Sequence, residues 1–275
     1  MVGHRPPHSP VRVRPAHVEH VLERLTVRDR EILLTVEKLR LVTGSQLQHL
    51  HFSDLPDRSA SVVRWRVLKR LADWRVLVPA ERRIGGSLRG SGELAFALDS
   101  AGQRIAQLLT NRSNDERRIR RPGLPSNQLL RHTLAVSELY VSLIEHTRSG
   151  GTVVQQFLAE PLAWLPDGLG GWLKPDAYVV LASKDYEDTW AVEVDLSTES
   201  VPTLRRKLCA YLDFYQRGQR APNGVMPRVL VTVPTEQRQT AVRRMVSQLP
   251  APADKLFVIP LDRDALLHLL GCQRE

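Results

Sequence analysis

The residues that could do chemistry cluster in the second half of the chain. Pro175-Asp176 is followed by Glu193-Val194-Asp195, and then by Lys207. Carboxylates are hard oxygen ligands. Two or three of them at one place suit Mg²⁺ or Mn²⁺, which can activate water and neutralise charge building on a phosphodiester. Alternation along a strand puts Glu193 and Asp195 on one face. Asp176 opens one predicted strand and Glu193 lies on the next, so an antiparallel hairpin would bring them together. The plainer alternative is that Asp176 caps a turn and that Glu193 and Asp195 face solvent. The other Pro-Asp pair, Pro166-Asp167, is followed by Gly168 and reads as a turn.

The surrounding pattern supplies the elements for such a site. An amphipathic helix is expected over 126–147, with Leu130, Leu134, Val141, Leu143 and Ile144 apolar and Glu138 near its middle. Strands follow at 153–158, 177–182 and 190–196. Then come a helix at 204–215 carrying Lys207, a strand at 229–233, a helix at 237–249, a strand at 256–260 and a helix at 264–270. Val229–Val233 hardly alternates, as expected of a strand covered on both faces. This predicts an α/β domain over 126–275 with a mixed sheet.

The first half reads differently. Residues 1–20 look like a basic, proline-rich tail, and 111–125 like a basic linker. Four histidines (His4, His8, His17, His20) fall in the tail, but their spacing matches no standard zinc pattern. Between tail and linker, over 21–110, an α+β domain is expected. Thr26 with Asp29 resembles a capping box, and Ile32, Leu33, Val36 and Leu39 continue at helical spacing. Thr43 or Ser45 caps a second helix. A third runs from about Arg58 to Trp74, with Val63, Val67, Leu71 and Trp74 in one apolar stripe. Strands at 76–83 and 93–98 flank a glycine-rich loop, and a helix at 100–109 follows.

Three helices, a hairpin and a helix are the order of a winged helix-turn-helix, with the hairpin as the wing. Outside its apolar stripe the third helix carries Arg58, Arg64, Arg66, Lys69 and Arg70; the wing tip carries Arg82, Arg83 and Arg89. Such side chains read guanine edges and grip phosphates. Double-stranded DNA is the expected partner, and a solvated or protein-binding face the alternative. Trp65 falls off the stripe, as either a secondary packing contact or an exposed one.

Charge supports the division. Of 275 residues, 39 are Lys or Arg and 30 are Asp or Glu, a net charge of +9. Residues 1–122 carry 23 basic and 13 acidic side chains, or +10; residues 123–275 carry 16 and 17, or −1. The surplus lies wholly before Pro122. The apolar share of 42% rules out a fully disordered chain. No apolar run approaches the ~20 residues of a membrane helix, and two cysteines suggest no disulfide framework. A cytoplasmic protein is expected.

Two resemblances sharpen these readings. The order and spacing over 126–235 resemble the PD-(D/E)xK nuclease superfamily, whose core is αβββαβ. The resemblance implies that Asp176 and Glu193 bind a metal, Mg²⁺ or Mn²⁺, with Glu138 as a further acid from the first helix. The family carries Lys two residues after the second acid, where this chain has Asp195; the resemblance then makes Lys207 the substitute. More narrowly, residues 25–235 resemble the replication-relaxation proteins of actinobacterial plasmids and integrative elements. LTVRDREILLTVEKLRLVTGSQLQHLHF, LLRHTLAVSELYVSL, KPDAYVVL, WAVEVDLSTES and LRRKLCAYLDFY carry that likeness. It implies a winged-helix DNA binder of a plasmid or mobile element, concerned with replication or DNA relaxation. Homodimerisation and contacts with replication or mobilisation proteins are further expectations. The alternatives are a Mg²⁺-dependent endonuclease targeted by the winged helix, and a transcriptional regulator whose second domain senses a ligand or dimerises.

Overall fold

The computed structural model describes residues 13–80, 93–110, 126–184 and 186–271. The chain divides into two compact units, residues 1–124 and 125–275. The architecture is α+β with a mixed sheet and no barrel among the described residues.

In the first unit the order is α1 (Pro15–Arg24), α2 (Val27–Leu39), β1 (Val42–Thr43), α3 (Gly44–His51), α4 (Asp57–Asp73), β2 (Leu77–Pro79), β3 (Ala95–Leu98) and α5 (Ser100–Leu109). The strands form an antiparallel sheet in the order β1-β3-β2. Helices α2 and α3 start at reciprocal capping boxes, Thr26 with Asp29 and Thr43 with Gln46, which satisfy amide groups that a helix start leaves open. Ile32, Leu33, Val36, Leu47, Phe52, Leu71 and Ile105 are buried between the helices and the sheet.

The expectation of an unstructured tail to residue 20 is corrected here. α1 begins at Pro15, at the one end of a helix where proline's missing N–H and fixed φ are suited. Val13, Val18 and Val21 are buried, and His17 Nε2 lies 3.0 Å from the Trp74 carbonyl. Residues 1–12, 81–92 and 111–125 lie outside the described residues, and with them the predicted wing tip Arg82, Arg83 and Arg89.

In the second unit the order is α6 (Asn127–Thr147), β4 (Thr152–Ala159), β5 (Leu165–Pro166), β6 (Trp172–Leu173), β7 (Ala177–Ser183), β8 (Glu187–Val194), α7 (Val201–Gln216), β9 (Arg228–Thr232), α8 (Glu236–Val246), α9 (Ala253–Leu256), β10 (Phe257–Val258), a 3-10 turn (Asp262–Asp264) and α10 (Ala265–Leu269). The five-stranded sheet runs β10-β9-β8-β7-β4. The pairings β4–β7 and β7–β8 are antiparallel; β8–β9 and β9–β10 are parallel. As its unbroken apolar sequence predicts, β9 is an interior strand, and Val229, Leu230 and Val231 are fully buried. The turn expected at Pro166-Asp167 is flanked by a small β5–β6 ribbon, in which Leu165 pairs with Leu173 and Pro166 with Trp172. One core cluster joins Tyr178, Ala191, Val229 and Val231 of the sheet to Leu204, Leu208, Tyr211 and Phe214 of α7 and to Val242 of α8. Elsewhere α6 packs on β4 and β8.

Candidate functional site

The β7–β8 register positions the two acids. Ala177 pairs with Val192. One step further along the antiparallel pair, Asp176 stands across from Glu193, and the Asp176 N–H donates to the Val192 carbonyl (3.0 Å). A helix then closes over this end of the hairpin. α7 starts at Ser200, whose side chain accepts from the Thr203 amide. Lys207 and Tyr211 lie four residues apart on it, hence on one side.

All four side chains converge. Lys207 Nζ is 2.6 Å from Glu193 Oε2 and 3.7 Å from Asp176 Oδ1. The Tyr211 hydroxyl donates a short hydrogen bond to Glu193 Oε1. Asp176 Oδ2 accepts the Val194 N–H at 2.8 Å. His132, from α6, places Nε2 3.1 Å from Asp176 Oδ1. His132, Asp176, Glu193 and Lys207 line a cleft of about 380 Å³ that also takes in Lys174, Asp195 and Glu199, with Tyr211 behind Glu193. The acids sit at its floor: the side chain of Glu193 is 2% exposed and that of Asp176 8%, against 35% for Lys207.

Burial and neighbouring charge separate the two acids. Burial pushes Glu193 up to about 8, and the Asp176 charge adds to it, with Lys207 and Tyr211 pulling the other way. For Asp176 burial also acts upward, but the His132 hydrogen bond, Lys207 and the Val194 amide outweigh it and hold the carboxyl below its ordinary value. Burial disfavours the Lys207 ammonium, yet the two carboxylates raise it overall. The Asp176 hydrogen bond raises His132 against the effect of burial.

Two of the expected residues take other places. Asp195, just beyond β8, lines the cleft but receives Arg238 Nε on Oδ2 (2.6 Å) and the Ser197 N–H on Oδ1 (2.8 Å). It anchors α8 and the turn after the strand instead of joining the acid pair. The assignment of Glu138 to the metal set is corrected. It lies six residues beyond His132 on α6, about 240° around the helix and about 9 Å along it. It lines a different cleft, of about 360 Å³, with Thr232, Asp262 and Arg263. Conversely, His132 was missed. Its only mark in the sequence is a polar residue beside the apolar positions of a helix. Tyr211 carried a better signal, its spacing from Lys207.

On α4 of the first unit, Arg58, Arg66 and Lys69 are exposed, and Arg64 is half-buried beside Gly44. Lys69 is paired with Asp73 at 2.6 Å. Trp65 is 62% exposed, which settles it as a surface residue. Arg70 departs from the expected DNA face. Its Nη2 contacts both carboxylate oxygens of buried Asp29, at 2.6 and 2.8 Å, and its guanidinium stacks over Trp74.

Whether the acid pair suits a divalent cation can be tested on its donors. Among the described residues no cluster of three or more His, Cys, Asp and Glu side chains is arranged to cage a metal. Mg²⁺ does not require one, because it is held by one or two carboxylates with water and phosphate oxygens completing its shell. Here a cation, the Lys207 ammonium, already stands between the acids. Apart from that ion pair, buried Glu193 Oε2 has no hydrogen-bond partner. The donor set fits.

The site therefore defines an α+β protein with a carboxylate pair, a lysine and a histidine gathered at one end of a mixed sheet. A family model described as replication-relaxation matches residues 33–229, and the chain belongs to that family. No curated protein and no solved structure matches it.

Proposed function

We propose that the chain is a duplex-DNA-binding protein of a plasmid or mobile element, acting in its replication or in the relaxation of its DNA, and that the first unit is a winged helix whose α4 enters the major groove. The family membership supports the setting. The observation that carries DNA binding is the exposed face of α4, where Arg58 and Arg66 point away from a core face built on Ala60, Leu68 and Leu71. The order helix, strand, helix, helix and antiparallel hairpin is the framework that presents such a helix. The test is charge reversal at Arg58 and Arg66 with a salt titration on labelled duplex. Binding falls strongly, and the slope of log affinity against log salt flattens by about one for each lost phosphate contact. Unchanged affinity at moderate salt removes α4 from the interface.

A second reading is Mg²⁺-dependent cleavage of a phosphodiester, targeted by the same unit. It is favoured by one observation, the convergence of Lys207 on Asp176 and Glu193 despite the Asp at position 195. In this reading Asp176 and Glu193 hold the ion, which would supply Lewis-acid charge and an activated water. Lys207 faces the phosphate, Tyr211 fixes Glu193, and His132 fixes Asp176. Supercoiled plasmid incubated with Mg²⁺ or Mn²⁺ is nicked or linearised by the wild type and by Asp167→Ala. Asp176→Ala and Glu193→Ala lose that activity. Plasmid left intact by the wild type with either ion refutes this reading and leaves DNA binding standing.

A further inference from the structure

The contacts around Lys207 differ in kind from those around the acids. Glu193 is held by Tyr211 on one oxygen and is closed off from solvent; Asp176 is held by the Val194 amide and His132. Neither can move without breaking bonds to the sheet or to helices packed on it. Among the described residues Lys207 makes direct ion pairs with the two acids alone, keeps a third of its side chain in solvent, and ends a stem of four methylenes. It is the movable member of the cluster.

We propose that Lys207 is a resident counter-cation that keeps the Asp176–Glu193 pair closed to divalent ions, and that uptake of Mg²⁺ or Mn²⁺ is an exchange in which the Lys207 ammonium turns out of the gap. The inference rests on reading the acid pair as a cation site. The gap holds one cation: the ammonium sits 2.6 Å from Glu193 Oε2 and 3.7 Å from Asp176 Oδ1. A simple opening is disfavoured, because it leaves buried Glu193 Oε2 with no polar partner among the described residues. Exchange keeps the pair neutralised. Glu199 lines the same cleft, and its charge already acts on Lys207, so a third carboxylate is there to receive the displaced ammonium. The exchange also adds positive charge to the cleft, since a divalent ion takes the place of the ammonium while Lys207 stays in the cleft that Lys174 also lines. That arrangement suits a phosphate entering between them.

Two measurements on the full chain test this, and neither involves DNA or cleavage. The first titrates MnCl2 calorimetrically into wild type and Lys207→Met. Removing a positive charge from between the ligands should tighten Mn²⁺ binding roughly tenfold or more. Equal or weaker binding in the variant, or heat from neither protein, overturns the proposal. Because Lys207→Met leaves two buried acids facing each other, at a cost to folding, the second measurement uses unaltered protein. Limiting acetic anhydride is applied with and without MnCl2, and acetylation is mapped by mass spectrometry against Lys38 and Lys255 as internal references. Lys207 should become several-fold more reactive with Mn²⁺, and unchanged or reduced reactivity overturns the proposal. A chain that exchanges Lys207 for Mn²⁺ yet leaves plasmid intact keeps this inference and loses the nuclease reading. A chain that cuts plasmid while Lys207 stays shielded does the reverse.

Discussion

At the scale of single residues, two chemically similar acids end with opposite tendencies to ionise. Asp176 has two cationic neighbours and a backbone amide and is held below its ordinary value; Glu193 lies deeper and is pushed up to about 8. His132 is the neighbour that touches Asp176 and not Glu193, and it has a consequence for stability. The fold raises His132, so its contribution is complete below its ordinary titration near 6.5 and is lost as pH rises through the raised value. Asp176 behaves oppositely: its contribution is complete above 3.8 and is lost as pH falls through its lowered value. The pair is therefore strongest between the two titrations. His132→Gln keeps an N–H for Asp176 but cannot titrate. In metal-free buffer the stability advantage of wild type over His132→Gln should shrink as pH goes from about 6 to about 8.5, read from thermal unfolding. A difference that stays constant over that range means the imidazolium–carboxylate pair is not formed.

At the scale of elements, what the sequence revealed was mostly local. Thr26 with Asp29, and Thr43 or Ser45, announced two helix starts because a cap uses side chains within one turn of the helix it begins; the second cap is Thr43. The β7–β8 hairpin and the approach of Asp176 to Glu193 followed from alternation and a short polar turn. What stayed hidden depended on how elements meet. Nothing near His132 says that α6 brings it to β7, and nothing near Glu138 says that its side of α6 faces another cleft. Pro15 fell within the expected proline-rich tail because the effect of a proline depends on the end of the helix at which it falls. The β5–β6 strands are two residues each and owe their form to pairing, not propensity. Arg70 is the sharpest case: five basic residues on α4 look alike in sequence, but only Arg70 grips a buried acid. Arg70→Ala should destabilise the chain by roughly 2–3 kcal/mol in urea unfolding. The value lies below that of a fully buried pair because the guanidinium is partly in solvent. Arg66→Glu should change stability by about 0.5 kcal/mol or less and weaken DNA binding instead. Equal stability of Arg70→Ala and wild type would return Arg70 to the exposed set.

At the scale of the whole molecule, the charge divides where the chain does. The units meet between residues 124 and 125, and residues 123 and 124 are uncharged, so the first unit carries +10 and the second −1. The family match runs from 33 to 229 and so spans both units, which ties the acid cleft and the basic unit to one family. Physically the division of labour is uneven. Affinity for duplex DNA comes mainly from phosphate neutralisation and counterion release, which need cations in excess. A near-neutral unit with buried acids supplies little of that, so under the proposed function it reaches DNA through the first unit. A fragment of residues 1–124 should therefore bind labelled duplex with nearly the affinity and the salt slope of the full chain. A fragment of 125–275 should bind at least about a hundredfold more weakly at moderate salt, as fluorescence anisotropy across a salt series would read. Comparable binding by the second fragment would mean that the cleft side of the molecule grips DNA through its own cations, Lys174 and Lys207 foremost. The +10 of the first unit would then serve solubility or another polyanion.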